Sequence, residues 1–128
     1  MKVFVYGTLK SGYGNNTILQ RGNAELVQPD RVRGFKLFNC GYPIAVPTDG
    51  CIATGEVWDI GDNETTLQNL DWLEGYNGED RRNHYDRVTV TTEDGHEAFM
   101  YTQNSTRSSL PECPSETVND ETIYTWSR

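Results

Sequence analysis

The chain has 128 residues, and its formal net charge at neutral pH is -8. This length predicts a single domain, residues 1–128, that buries roughly two thirds of the surface of the unfolded chain. The acidic balance argues against a nucleic-acid partner, because phosphate contacts need a basic surface. No apolar run approaches the roughly 20 residues that span a bilayer, or the length of a signal peptide. We therefore expect no membrane partner and a cytoplasmic location.

The cysteine pattern gives no sign of a disulfide or a metal. Cys40, Cys51 and Cys113 are an odd number without Cys-x-x-Cys spacing. This fits neither a disulfide framework nor a zinc site, so we expect reduced thiols.

The first half of the chain is predicted to be mostly extended. Its elements are a strand at Lys2–Tyr6, a polar loop at Ser11–Asn16, a short helical turn at Thr17–Gln20, and strands at Val32–Phe38 and Cys51–Ile60. Prolines and glycines in residues 39–50 favour an irregular segment, because proline lacks a backbone donor.

The clearest helix of the sequence follows. Asp62 is a suitable N-cap, the helix is expected to end at Leu73 or Glu74, and Gly75 is a suitable C-terminal cap. A charged loop, residues 77–84, comes next.

The last part of the chain predicts one hairpin and a tail. Residues 85–102 alternate as two strands around Asp94-Gly95, a dipeptide that suits a type I′ turn. From Asn104 onward we expect a loosely ordered tail with at most one terminal element, Ile123–Trp126.

The segment VFVYGTLKSGYG, residues 3–14, passes from a strand into a glycine-rich turn. The residues after Gly12 are not the Lys and Ser or Thr of a Walker A loop, and Thr17 stands where a dinucleotide fingerprint has its third glycine. Two interpretations stay open. The segment is an ordinary turn, or the backbone N–H groups of residues 7–9 form a concavity for a carboxylate or an oxyanion.

An acidic residue lies on the apolar face of the predicted helix. Glu74 falls about 40° from the centre of the stripe formed by Leu67, Leu70 and Leu73, whereas Trp72 points away. Burial and the negative end of the helix dipole both raise the pKa of an acid there, as a general base near neutral pH requires. The alternative is that Glu74 reaches solvent, or pairs with Arg81, Arg82 or Arg87.

Three motifs together resemble a known family. They are YGTLK at Tyr6–Lys10 after a strand, LDWLEGY at Leu70–Tyr76 and YDR at Tyr85–Arg87. Their combination is similar to the gamma-glutamylcyclotransferase-like superfamily, in particular the small branch with gamma-glutamylamine cyclotransferase and the avirulence-induced plant proteins. The stretches GYPIAV and AFMYT extend the resemblance to most of the chain before the tail.

The resemblance implies an α+β fold, a small mixed β-barrel with flanking short helices and a cavity at one end. It implies that Glu74 is the catalytic acid, and that the substrate is held by the loop residues Tyr6, Gly7, Thr8 and Leu9. The implied reaction cyclises the gamma-glutamyl group of a small-molecule substrate to 5-oxoproline and releases an amine. Glu74 acts as base and then as acid, and no cofactor or metal is needed.

Two other functions compete with this one. A non-catalytic ligand-binding or protein-interaction module would keep the fold and the cavity without turnover, although a pure binder does not need a buried acid at Glu74. Hydrolysis or amine transfer on a similar amide would use the same carboxylate to activate water, and free glutamate would reveal hydrolysis. A nucleophile at Thr8 or Cys40 is disfavoured, because the sequence places no activating histidine near either.

The chain departs from the family pattern after Tyr76. Asn77 replaces the usual proline, and a charged insertion, GEDRRN at residues 78–83, precedes Tyr85. Of the remaining polar and aromatic residues, we expect surface positions for Lys10, His84 and His96, and packing at the start of the hairpin for Tyr85 and Arg87. A cavity wall and core packing explain Tyr42 and Tyr101 equally well. Neither the leaving amine nor the oligomeric state can be read from the sequence.

Overall fold

The computed structural model describes residues 1–79, 82–104 and 110–127. The elements in chain order are β1 Lys2–Val5, α1 Asn16–Arg21, β2 Glu25–Asn39, β3 Pro43–Asp59, α2 Glu64–Glu74, β4 Asp86–Thr91, β5 Glu97–Thr102, β6 Ser115–Val118 and β7 Glu121–Tyr124. An ion pair with Arg81, part of the charged loop and part of the tail lie outside the described residues. Within them, neither helix is long and apolar enough to cross a membrane.

The described strands form one mixed sheet of seven strands. The strands pair in the order β4, β5, β1, β3, β7, β6. β2 lies off this path and pairs with β3 along residues 43–59. β1 is parallel to β5 and β7 is parallel to β3, whereas the other pairs are antiparallel. The predicted α+β class is confirmed. Among the described strands the pairing does not close into a ring, so the sheet is not a complete barrel. The arrangement is still compatible with the predicted barrel-like fold.

The longest strand, β3, contradicts the irregular segment predicted at residues 39–50. Pro43 is its first residue, and Pro47 pairs with Phe35 beside a register shift between β2 and β3. Both places tolerate a missing backbone donor, because a strand start and a bulge interrupt the ladder of hydrogen bonds. β2 likewise begins at Glu25, earlier than predicted.

The β4–β5 hairpin forms as predicted, but with a different turn. The Gly95 N–H donates to the Thr92 carbonyl at 3.0 Å, and Gly95 has a φ of 88° whereas Asp94 is not in the positive-φ region. A type I′ turn needs positive φ at both central residues, so this is a type I turn followed by a left-handed glycine. The type I′ geometry occurs instead between β6 and β7, where Asn119 and Asp120 have φ of 51° and 64°.

The described part of the tail is ordered, contrary to the prediction of a loose tail. β6 and β7 form a hairpin, and β7 pairs with residues 51–53 of β3. Trp126 is buried, and its indole N–H donates to Asn39 Oδ1 at 3.3 Å. This order comes from pairing with distant residues, which the local pattern of the tail does not show.

α2 begins one residue later than predicted, because its N-cap is Asn63 rather than Asp62. Asn63 Oδ1 accepts a hydrogen bond from the Thr66 N–H at 3.1 Å. The predicted apolar stripe packs on the core, whereas Trp72 is 85 % exposed. The helix therefore turns its leucine face to the core and Trp72 to solvent.

Close contact between β1 and β3 requires glycine at position 55. A Cβ on Gly55 would lie 2.3 Å from the Val5 carbonyl oxygen. We expect Gly55→Ala to lower the free energy of unfolding by about 1–3 kcal/mol, because backbone atoms cannot move aside without breaking the pairing. Urea unfolding measures this. Gly14→Ala is the control, since its Cβ meets nothing within 4 Å. Equal losses of stability in both variants would show that the effect does not come from the close contact with Val5.

Candidate active site

A cavity of about 330 Å³ lies where β1 ends. This volume is at the lower end of the range for small-molecule sites. Its walls come from six parts of the chain: residues 4–9, Asn15, residues 41–43, Leu73 with Glu74, His84 with Tyr85, and Tyr101. The structure thus brings together around one cavity all five residues predicted for the site, Tyr6, Gly7, Thr8, Leu9 and Glu74.

Position 7 must be glycine, because Pro43, on another wall of the cavity, lies very close to it. A Cβ at this position would lie 2.5 Å from Pro43 Cγ, at the start of β3. The chain then turns, because the Lys10 N–H donates to the Gly7 carbonyl at 3.0 Å. The glycine therefore lets the loop after β1 and the start of β3 share the cavity.

Two asparagines fix the loop after Gly7. Asn15 Nδ2 donates to the Thr8 hydroxyl at 2.8 Å, and Asn16 Nδ2 donates to the Leu9 carbonyl at 2.7 Å. No residue in the described part of the chain accepts a hydrogen bond from the backbone N–H of Thr8 or Leu9. These two N–H groups are available donors for an anionic group. The Thr8 hydroxyl contacts an amide donor rather than a base, which gives no support to a threonine nucleophile.

The position of Glu74 is set by the end of α2. Gly75 takes the left-handed conformation, with φ 70° and ψ 33°. The Tyr76 N–H donates to the Asp71 carbonyl at 2.9 Å, and the Gly75 N–H donates to the Trp72 carbonyl at 3.3 Å. These two bonds form a Schellman motif, which stops the helix directly after Glu74. The predicted cap at Gly75 is confirmed.

The segment before β4 is joined to this helix end. The Tyr85 N–H donates to the Glu74 carbonyl at 3.1 Å, and the His84 N–H donates to the Gly75 carbonyl at 3.0 Å. The two bonds place His84 and Tyr85 on the cavity wall beside Glu74.

The carboxylate of Glu74 is the most perturbed acid of the site. Burial raises its pKa from 4.5 to about 7. Among the described residues, Glu74 forms no ion pair with Arg82 or Arg87. Arg87 binds Asp71 at 2.6 Å instead, and Lys10 donates to the Trp126 carbonyl at 2.6 Å. Arg87 and Lys10 are therefore engaged elsewhere, and burial keeps the pKa of Glu74 high.

The remaining histidines and tyrosines lie partly where the sequence predicts them. His84 is exposed but lines the cavity, and its Nε2 lies 3.3 Å from the Tyr42 hydroxyl. Tyr42 and Tyr101 both belong to the wall. His96 lies elsewhere, with its Nδ1 3.0 Å from Lys2 Nζ.

Sequence reasoning assigned no site role to Asn15, His84 or Tyr85. For His84 and Tyr85, a usable sequence signal is their position between Glu74 and the start of the next predicted strand. Asn15 carries no local signal, because its contact with Thr8 depends on the fold of the loop.

Comparisons with known proteins assign the chain to a family. Residues 3–124 match the family described as "Gamma-glutamyl cyclotransferase, AIG2-like". The chain belongs to this family. The gamma-glutamylcyclotransferase family protein YtfP of Escherichia coli K12 is 38% identical over 102 residues, which cover 79% of this chain and 80% of that protein. The resemblance predicted from the motifs is confirmed.

Two solved structures of gamma-glutamyl cyclotransferase relatives share the fold. The crystal structure of an AIG2-like protein from Mus musculus has a TM-score of 0.70 at 25% identity, covering 87% of this chain and 84% of that one. The solution structure of the ytfP protein of Escherichia coli has a TM-score of 0.62 at 33% identity, covering 88% and 90%.

The raised pKa of Glu74 predicts a pH-dependent cost in stability. The folded protein holds the proton more tightly than the unfolded chain, so this contribution to stability falls as pH rises from about 4.5 to about 7. We expect Glu74→Gln to be more stable than wild type at pH 8 by about 1–2 kcal/mol, after allowance for partial solvent contact, and to lose this advantage near pH 4.5. Urea unfolding across this range measures it.

The control for this experiment is Glu64→Gln, the same substitution at an exposed position of α2. It should show no stability gain that develops between pH 4.5 and 7. A gain of Glu74→Gln that is constant with pH would contradict the assignment to the buried charge.

Proposed function

We propose that this chain is a cyclotransferase that cleaves a gamma-glutamyl amide by attack of the substrate's own α-amine, releasing 5-oxoproline and an amine. The observation that carries the proposal is the half-buried Glu74 carboxylate, with a pKa of about 7, in a cavity that is also lined by Thr8 and Leu9, whose backbone N–H groups have no acceptor among the described residues. Family membership supports it, because the family description names this activity.

The proton transfer to Glu74 becomes inexpensive at this pKa. An α-ammonium group has an ordinary pKa near 8, about one unit above that of the buried carboxyl, and one unit corresponds to about 1.4 kcal/mol. With the ordinary value of 4.5 the difference would be about 3.5 units, or roughly 5 kcal/mol. Burial of Glu74 therefore makes it a suitable base for a substrate amine at neutral pH.

The reaction is balanced without another reactant. Glu74 takes a proton from the α-ammonium, and the neutral amine attacks the carbonyl carbon of the gamma-glutamyl amide. The new C–N bond forms as the carbonyl becomes an oxyanion, and the bond to the leaving nitrogen then breaks. Glu74 returns the proton to that nitrogen. After the attack the ring nitrogen carries one proton more than the lactam of 5-oxoproline, and it loses this second proton, through Glu74, to the departing amine. Overall the α-ammonium loses two protons and the departing amine gains two.

The loop after β1 has two possible roles in this scheme. Its free N–H groups at Thr8 and Leu9 stabilise either the oxyanion or the α-carboxylate of the substrate, since both are anions that accept backbone hydrogen bonds. Among the described residues no lysine or arginine lines the cavity, so these donors are the recognisable anion receptor of the site.

The proposal predicts 5-oxoproline release that depends on Glu74. A panel of gamma-glutamyl amides with different leaving amines should include at least one substrate. Glu74→Gln keeps the shape of the side chain and removes the base, so we expect kcat/KM to fall by about 10²–10⁴-fold. Chromatography of 5-oxoproline and free glutamate measures both products, and Glu64→Gln should match the wild type.

Each other outcome rejects a stated part of the proposal. Equal turnover by wild type and Glu74→Gln would remove Glu74 from the mechanism. Free glutamate in place of 5-oxoproline would indicate hydrolysis. Absence of turnover on the whole panel would favour a binding module with the same fold.

A further inference from the structure

Trp126, in the tail, binds the supports of two cavity walls. The residue is almost fully buried, and it is not among the described residues of the cavity wall itself. The tail sets its position, since β7 pairs with β3 and the Thr125 N–H donates to the Pro114 carbonyl at 3.0 Å. Trp126 lies beyond residues 3–124, so the family match gives it no role. Its backbone carbonyl and its indole N–H each bind a residue next to the cavity.

The carbonyl of Trp126 binds the loop after β1. Lys10 Nζ donates to it at 2.6 Å, and the ring centre of Tyr13 lies 5.3 Å from that of the indole. Lys10 directly follows residues 8–9, which line the cavity, and its N–H donates to the Gly7 carbonyl. Hydrogen bonds from a charged donor are about twice as strong as neutral ones. The bond from Lys10 therefore anchors the loop to the tail.

The indole N–H of Trp126 binds the turn between β2 and β3. It donates to Asn39 Oδ1 at 3.3 Å, and the same oxygen accepts from the Gly41 N–H at 3.0 Å. Both neighbours are N–H donors, so the Asn39 atom between them is the amide oxygen. Gly41 lines the cavity together with residues 42–43. One asparagine oxygen thus links the indole to the turn that forms this wall.

We propose that Trp126 is a positioning residue that fixes the loop after β1 and the β2–β3 turn relative to each other, and so holds two walls of the cavity, residues 7–9 and 41–43, in place. A closely packed interior transmits displacement, so a change at the carbonyl contact reaches the indole contact. Its effect on catalysis rests on the proposed function, whereas the linkage itself is independent of turnover.

The two walls also meet directly, so the experiment must separate two routes between them. Gly7 lies against Pro43, where a Cβ on the glycine would be 2.5 Å from Pro43 Cγ. The loop has a further link to β3, because the Ser11 N–H donates to Glu56 Oε1 at 2.7 Å, but this bond does not involve the turn. Variants of one wall must therefore be compared with and without the indole of Trp126.

The test is amide hydrogen exchange of the full chain, measured by NMR without ligand. Lys10→Met removes the ammonium group and keeps a side chain of similar shape, so Trp126 loses its bond to the loop. We expect exchange of the Gly41 amide, on the other wall, to become about fivefold faster, because its acceptor is then held less firmly. In the opposite direction, Asn39→Leu should accelerate exchange of the Tyr13 amide, which donates to the Lys10 carbonyl at 3.1 Å.

Two controls separate this linkage from general loosening of the tail. Asn39→Asp keeps an oxygen acceptor for both donors, so exchange of the Tyr13 amide should stay at the wild-type rate. Tyr124→Phe removes a different aromatic donor from the same tail, where the Tyr124 hydroxyl binds Glu112 Oε1 at 2.8 Å. It should leave the Gly41 and Tyr13 amides unchanged.

The deciding variant is Trp126→Phe, which keeps an aromatic ring and removes the indole N–H. In this background Lys10→Met should cause no further change at the Gly41 amide. An acceleration that persists there would assign the coupling to the contact of Gly7 with Pro43 and overturn the proposal, as would an unchanged Gly41 amide in Lys10→Met alone. If Trp126→Phe does not fold, the indole N–H in Lys10→Met decides, because it must exchange faster together with the Gly41 amide.

For an active cyclotransferase the linkage predicts a split between binding and chemistry. Trp126→Phe should raise KM for a gamma-glutamyl amide about tenfold, since it displaces two walls of the cavity. The pH limb of kcat/KM that belongs to Glu74 should stay in place, because Gly75 and Tyr85 fix the end of α2. Tyr124→Phe should match the wild type. A fall in kcat at unchanged KM, or a shift of the limb, would contradict the positioning role. Failure of the proposed function is seen separately, as absence of 5-oxoproline with the wild type, and leaves the exchange test valid.

Discussion

The site depends on one pair of backbone hydrogen bonds, which join the end of α2 to the segment before β4. They run from Tyr85 and His84 to the carbonyls of Glu74 and Gly75. They form because Gly75 ends the helix in a left-handed turn, and because it has no side chain, since a Cβ there would lie 2.9 Å from His84 Cβ. The acid on the last turn of the helix and the tyrosine before the strand are thereby fixed side by side.

This junction also explains how the chain carries a charged insertion beside its cavity. The Asn77 N–H donates to Asn83 Oδ1 at 2.6 Å, and Asn83 Nδ2 donates to the Gly78 carbonyl at 3.0 Å. The ends of the insertion are therefore tied to each other before the chain reaches the junction. Additional residues lengthen the loop at modest entropic cost and leave the position of Glu74 unchanged.

Local pattern predicted the fold where the local preference and the tertiary contacts agree. The helix around Leu67 and Leu70 and the β4–β5 hairpin follow from periodicity, and the helix stop follows from Gly75. The pattern failed at β3 and at the tail for the same reason. Pro47 is acceptable in a strand only because a register shift lies beside it, and β7 is ordered by pairing with β3. Both facts belong to distant partners, which the spacing of residues along the chain does not encode.

The same distinction applies to the site. Residue identity predicts which side chains line it, whereas the partners of their hydrogen bonds depend on the fold. Periodicity places Glu74 on the apolar face, and the loop motif marks Tyr6 to Leu9, but the sequence is silent on where the phenols of Tyr85 and Tyr101 donate. Those donations go to the Pro43 carbonyl and to Asp71, which the fold brings from other parts of the chain. The raised pKa of Glu74, on which the proposed reaction depends, likewise comes from burial among residues that are distant along the chain.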